Sequence, residues 1–252
     1  MICKTGRWLI PLIFLAMTGC SHMMKLALNT IPCGAEDSSY DVLEIDLEKQ
    51  EIRLFWKYPD GRLFFTFENV RKWVDHQGGH RIAATNGGIY DPGHIPAGLY
   101  IEAGNIRHPL NLREGYGNFY LKPNGVFLIT KHGPKILESS LVENIKTPIR
   151  YATQSGPLLV LNGDIHPAFT RGSKNRRLRS GIGVSEDQRV WIVISKCASN
   201  FYDFAVFFRD RLKCPNALYL DGSISKLYAP EIGRFDRVAD KFAVIIGVIG
   251  RD

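Results

Sequence analysis

Two β-type apolar runs in this chain stop at a polar residue followed at once by glycine, and these endings limit what the chain can fold into. Arg81-Ile-Ala-Ala-Thr-Asn86 runs into Gly87-Gly88, and Ala217-Leu-Tyr-Leu-Asp221 runs into Gly222-Ser223. Gln154-Ser155-Gly156 and Arg179-Ser180-Gly181 repeat the polar-then-glycine step. A strand that ends this way lets a ligand approach the main chain. A tight turn accounts for any one of these endings. Four of them point to strand ends converging on one polar site.

Most of the remaining chain also reads as strands. Residues 41–47 alternate apolar and acidic side chains, and residues 51–56 resume the pattern after a polar turn. Ser180-Gly-Ile-Gly-Val184 and Val190-Trp-Ile-Val-Ile194 bracket a polar turn as a hairpin. A second hairpin is expected through Lys122-Pro-Asn-Gly125, joining residues 118–121 to 126–129. Residues 242–249 are apolar throughout and suit a central strand. Only two helices are expected, residues 67–76 and residues 201–212. The second has Phe201, Phe204, Ala205, Phe208 and Leu212 on one face. The fold class is therefore α+β, a mixed and mainly antiparallel sheet core with few helices, in a single domain.

The N-terminus is set apart from the fold. Lys4 and Arg7 precede an apolar stretch, residues 8–17, too short to span a bilayer, and residues 1–20 read as a signal peptide. Gly19-Cys20 resembles a bacterial lipoprotein processing site, which implies lipid on Cys20, and Ser21 implies retention in the outer membrane. An ordinary cleaved signal, or a start at Met23 or Met24 without export, are the alternatives. Residues 21–39 read as a linker and residues 40–252 as the domain. Of the later cysteines, Cys197 and Cys214 would sit at opposite ends of a helix of roughly 18 Å, whereas bridged Cα atoms lie about 5.5–6 Å apart. A bridge from Cys33 to one of them stands equally open. The net charge of +7 suits anionic partners but is too dispersed for nucleic acid.

Five segments then occur in order: Thr85-Asn-Gly-Gly-Ile-Tyr90, Pro96-Ala-Gly-Leu99, Gln154-Ser-Gly-Pro-Leu-Leu-Val160, Arg177-Leu-Arg-Ser-Gly-Ile-Gly183 and Leu218-Tyr-Leu-Asp-Gly222. Together they resemble the phosphodiester glycosidase family over roughly residues 40–250, closest to a bacterial branch of unassigned substrate. The resemblance implies hydrolysis of a sugar-1-phosphodiester at the anomeric carbon. One departure stands out: the family continues its aspartate as a run of glycines, whereas Ile224 follows Asp221-Gly222-Ser223 here.

Such a reaction needs an anion cradle, support for an oxocarbenium-like transition state and an activated nucleophile. Asp221 is expected as the acid/base carboxylate, Arg179 as the phosphate-binding guanidinium and Asn86 as a third catalytic group. Arg177, two residues before Arg179, is expected to share its face. Gly87, Gly88, Gln154, Ser155, Gly156, Gly222 and Ser223 are expected to position the substrate. Glu102 and Asp91 are candidates for a partner carboxylate, and His94 for proton transfer. No Cys/His arrangement has zinc spacing, so no metal or cofactor is expected; calcium is the one cation that Asp and backbone oxygens leave open. The alternative is a lipid-anchored protein that holds anionic envelope glycans in the same cradle without cleaving them, a reading motivated by Ile224.

Overall fold

The computed structural model describes residues 31–32, 39–222, 224–230, 233–236 and 241–251. The expectations for the signal peptide, Cys20, Cys33 and Ser223 lie outside the described residues. Three sheets carry the fold. The first runs, in spatial order, Ile31–Pro32, Ser39–Ile45, Val190–Ser195, Ser180–Val184, Asn216–Asp221, Leu158–Leu161 and Asp164–Ile165. The second runs Gly133–Glu138, Gly125–Thr130, Ile149–Ser155, Tyr100–Glu102 and Asn105–His108. The third runs Arg234–Phe235, Leu227–Ala229, His80–Asn86, Ile245–Gly250 and Gln50–Phe55. Every strand pairing among the described residues is antiparallel.

The two-residue period of the strands divides the core. From Ser39–Ile45, Leu43 and Ile45 enter a central cluster with Ile52, Phe127, Ile182, Leu218 and Ile246, which joins all three sheets. Tyr40 and Val42 point the other way and pack under Phe204, Phe207 and Phe208. Each fully buried side chain of this size contributes about 1.5–3 kcal/mol. The apolar strand Ile245–Gly250 has a partner on both sides, as its composition predicts. Helix Phe67–His76 starts at Thr66, whose Oγ1 accepts the Asn69 N–H at 3.2 Å, and it buries Phe67, Val70 and Val74.

Two sequence expectations are corrected. Residues 118–121 do not form a strand; Asn118–Tyr120 is a 3-10 turn entered through Gly117 at φ 92°. Phe119 is buried, and its carbonyl accepts from Asn124 Nδ2 at 2.8 Å, which holds the turn closed. The hairpin instead joins Gly125–Thr130 to Gly133–Glu138. The second helix is α-helical only over Phe201–Val206 and continues as a π-helical turn, Phe207–Arg211. Cys214 beyond it is a free thiol, pushed up to about 12 by burial.

Candidate active site

Strand ends from the three sheets meet through side-chain hydroxyls and amides. Asn86, ending a strand of the third sheet, donates from Nδ2 to Ser180 Oγ of the first sheet at 2.8 Å. Ser180 Oγ donates to the Asp221 carbonyl at 2.9 Å and accepts the Asp221 N–H at 3.2 Å. Ser155, ending a strand of the second sheet, donates to the Leu220 carbonyl at 3.1 Å and accepts the Ile89 N–H at 3.3 Å. Thr153 Oγ1 donates to the Gly87 carbonyl at 2.8 Å. The four polar-then-glycine endings are thus one connected frame. Ser180, whose hydroxyl is its node, is visible in the sequence only as part of the Arg179-Ser180-Gly181 ending and is not among the expected site residues.

Beside this frame lies a cavity of about 360 Å³ lined by Asp91, Asn118, Asp221 and Ile224, together with Tyr90 and Tyr116. Asp221 is half-buried at the end of its strand. Its backbone is held by Ser180 and by Ser225, whose Oγ donates to the Asp221 carbonyl at 2.8 Å. Of the two partner carboxylates named from sequence, Asp91 is on the cavity wall. Glu102 is not: it lines a separate groove, where Tyr100 donates to it at 2.7 Å and burial raises its pKa.

Arg179 is also absent from the cavity wall. It is 2% exposed, with Nε donating to the Ser199 carbonyl at 2.7 Å and Nη2 to the Asn175 carbonyl at 3.0 Å. Its guanidinium lies 3.7 Å from the centroid of the Phe201 ring. Among the described residues no carboxylate forms an ion pair with it, and burial lowers it below the usual guanidinium range. Tyr219 links this charge to the cavity. The Arg179 guanidinium lies 5.7 Å from its ring centroid, and both Arg179 and the Asn118 side chain of the cavity wall act on its phenol. Burial pushes the Tyr219 phenol well up, against the opposing pull of Arg179, so it stays neutral. Sequence reasoning missed Tyr219, although it stands two residues before Asp221 in the same strand.

The same hydroxyl explains Gly222. A Cβ there would overlap the Tyr219 hydroxyl, so glycine serves the packing of Tyr219. Gly222→Ala is expected to displace Tyr219 and lower the melting temperature by several degrees, on the scale of about 1–3 kcal/mol for an overpacked site. A thermal melt checks it; an alanine variant with an unchanged melt would contradict the packing reading.

An aromatic stack backs Arg179 from behind. His166 stacks on Phe169 at 4.7 Å, and Phe169 stacks on Phe201 at 4.7 Å. His166 is 3% exposed, its Nδ1 accepts the Ala168 N–H at 3.1 Å, and burial lowers its pKa from the ordinary 6.5. The fold therefore prefers the neutral ring. Its contribution to stability is complete above the unfolded value of 6.5 and is lost as pH falls from there through the lower folded value. The melting temperature is expected to drop over that window, and His166→Phe to flatten the drop. An identical pH profile in the variant would remove His166 as its source.

The remaining sequence candidates take other positions. Gln154 is buried with all four amide bonds used: Oε1 accepts from Leu99 N and Asn111 N, and Nε2 donates to Asn111 O and Ser139 Oγ. It clamps the second sheet to the loop at Asn111 and has no group left for a ligand. Gly87 is glycine because a Cβ would press on Val244, and Gly88 because its φ is +148°. Gly156 is hemmed in by Asn124 and Phe119. Arg177 is exposed and donates to its neighbour's carbonyl, so it does not share the buried setting of Arg179. His94 packs against Tyr90 at 5.3 Å and Phe65 at 5.0 Å, and its carbonyl accepts from the Trp56 indole at 2.8 Å. Among the described residues no three His, Cys, Asp or Glu side chains gather as a metal-binding group.

Comparison with known proteins bears on the family and the fold. A family model for the phosphodiester glycosidases matches residues 79–244. Protein YigE of Escherichia coli (strain K12) is 33% identical over 218 residues, covering 86% of this chain and 84% of that protein. Among solved structures, the catalytic domain of zebrafish N-acetylglucosamine-1-phosphodiester alpha-N-acetylglucosaminidase, auto-inhibited by its pro-peptide, superposes with a TM-score of 0.61 at 16% identity. That match covers 90% of this chain and 82% of that one. A Synechocystis protein superposes with a TM-score of 0.57 at 15% identity over 89% of this chain and 61% of its own. At those identities the structures speak for the fold, while the sequence matches speak for descent. The chain belongs to the phosphodiester glycosidase family.

Proposed function

We propose that this protein is an envelope hydrolase that cleaves a sugar-1-phosphodiester at its glycosidic bond in the Asp221 cavity. The observation that carries the reading is a carboxylate-lined cavity backed, through Tyr219, by a buried guanidinium that has no carboxylate partner among the described residues. A phosphate in the cavity would supply the missing counter-charge, and that demand favours an anionic substrate over a neutral glycoside.

In the proposed reaction a water oxygen attacks the anomeric carbon as the carbon–oxygen bond to phosphate breaks. The bonding pair leaves on the phosphate oxygen, and the water proton passes to the Asp221 carboxylate. The phosphate leaving group is weakly basic and needs neutralising charge more than a strong acid. Arg179 provides that charge from behind the wall, with the Tyr219 hydroxyl and Asn118 as the groups nearest the anion. Asp91 is positioned to support the second carboxylate role that glycoside hydrolysis uses. The direct test is release of sugar from a glycosyl phosphodiester by the purified protein. Binding with no product after long incubation would instead favour a non-catalytic glycan-binding protein, a reading supported by Ile224 on the cavity wall.

The reading includes export and a lipid on Cys20 that holds the protein at the outer membrane. Globomycin is expected to block processing and a fatty-acid analogue to label the wild type; an unlabelled protein would sink the anchor.

A further inference from the structure

The groove that contains Glu102 has features of its own. One lobe, of about 580 Å³, is lined by Arg53, Lys57, Arg107 and Arg150 over an aromatic floor that includes Trp56 and Tyr151. A second lobe, of about 570 Å³, shares Ala103, Arg150 and Tyr151 with the first and adds Lys131 and Arg251. No residue lines both this groove and the Asp221 cavity. The two lobes follow the strand Gln50–Phe55, the outermost strand of the third sheet, where it passes the hairpin of the second.

The charge of the groove is unbalanced. Its carboxylates are Glu51 and Glu102, facing six cations. Glu51 is shared by Arg53 at 2.9 Å and Arg150 at 3.0 Å. Lys57, Arg107, Lys131 and Arg251 have no ion-pair partner among the described residues. Two cations are held in place by rings: Lys57 Nζ lies 4.1 Å from the Trp56 centroid, and the Arg150 guanidinium 5.5 Å from that of Tyr151. Burial raises the Glu102 carboxyl above its ordinary range, against the opposing pull of Tyr100 and Arg107.

We propose that this two-lobed groove binds a linear glycan bearing phosphate groups along its length, as a site separate from the Asp221 cavity. Charge complementarity favours a polyanion, and two lobes that share the wall residues Ala103, Arg150 and Tyr151 suit a chain of several sugar units over a compact anion. The Trp56 indole floors the first lobe while its N–H holds the His94 carbonyl, in the loop that carries Asp91 into the other cavity. A chain in the groove would thereby sit next to the loop that shapes the Asp221 cavity.

The test measures binding of a fluorescent, phosphate-esterified dextran oligosaccharide to the full-length protein, with neutral dextran and inorganic polyphosphate as the comparison probes. The phosphorylated oligosaccharide is expected to bind in a salt-sensitive way, and neutral dextran to bind at least ~10-fold more weakly. Replacing exposed Lys57, Arg107 and Lys131 together by alanine is expected to weaken binding ~10-fold or more, with turnover of a small glycosyl phosphodiester unchanged. Asp221→Asn is expected to keep full affinity, which separates this site from the catalytic reading. The proposal is overturned if wild type does not bind the phosphorylated oligosaccharide, if the triple variant binds it equally, or if Asp221→Asn abolishes binding. Equal affinity for polyphosphate would remove the glycan from the assignment.

Discussion

Asp221→Asn is expected to lower turnover of a glycosyl phosphodiester by about three orders of magnitude, within the range a positioned acid/base contributes. The amide keeps the shape of the carboxylate and can still accept the Gly222 N–H through its oxygen. The Asp221 backbone stays tied to Ser180 and Ser225, so the melting temperature is expected to move by only a few degrees. What the variant loses is the proton acceptor. Asp91→Asn, on the same wall, is expected to be impaired as well, while Glu102→Gln, in the other groove, is expected to retain turnover on a small substrate. The measurement is sugar release under kcat/KM conditions beside a thermal melt. Wild-type turnover in Asp221→Asn with an unchanged melt would remove this residue from the mechanism.

The contrast between Asp91 and Glu102 shows where the sequence stops being informative. Strand existence was legible wherever two-residue alternation or an apolar run was clean, as in Ser180–Val184 with Val190–Ser195. Residues 118–121 read equally well as a strand, but the burial of Phe119 and the Asn124 clamp are long-range facts that local pattern cannot carry. The convergence of polar strand ends was legible too, because four similar endings are improbable as unrelated turns. The division of labour among them was not. Gln154, Asn86 and Ser155 have the donor chemistry of ligand contacts, and they spend it on the frame. Glycines that looked like room for a ligand instead make room for Val244 and the Tyr219 hydroxyl. A one-dimensional pattern identifies which residues meet, whereas burial decides which of them face solvent and substrate.

Arg179→Met is expected to separate activity from stability, and so to show what the buried guanidinium is for. Methionine is similar in length, apolar and able to pack its sulfur on the Phe201 ring that now faces the guanidinium. The substitution removes two charge-assisted bonds, one to the Ser199 carbonyl, which keeps the Arg177 N–H at 3.1 Å, and one to the Asn175 carbonyl, at about 1.5–3 kcal/mol each. Opposing this is relief of several kcal/mol of desolvation for a buried charge that no carboxylate compensates among the described residues. The two effects are of similar size, so the melting temperature is expected to shift by only a few degrees in either direction. Catalysis has no such compensation. Without positive charge behind Tyr219 and Asn118, kcat/KM on a phosphodiester is expected to fall at least ~100-fold, the scale of losing one electrostatic stabiliser. Inhibition by inorganic phosphate is expected to vanish with it, and Arg179→Lys, which keeps the charge but not the planar fork, is expected to recover part of both. A purely structural arginine predicts the reverse: a large loss of melting temperature, with activity per folded molecule and phosphate inhibition intact.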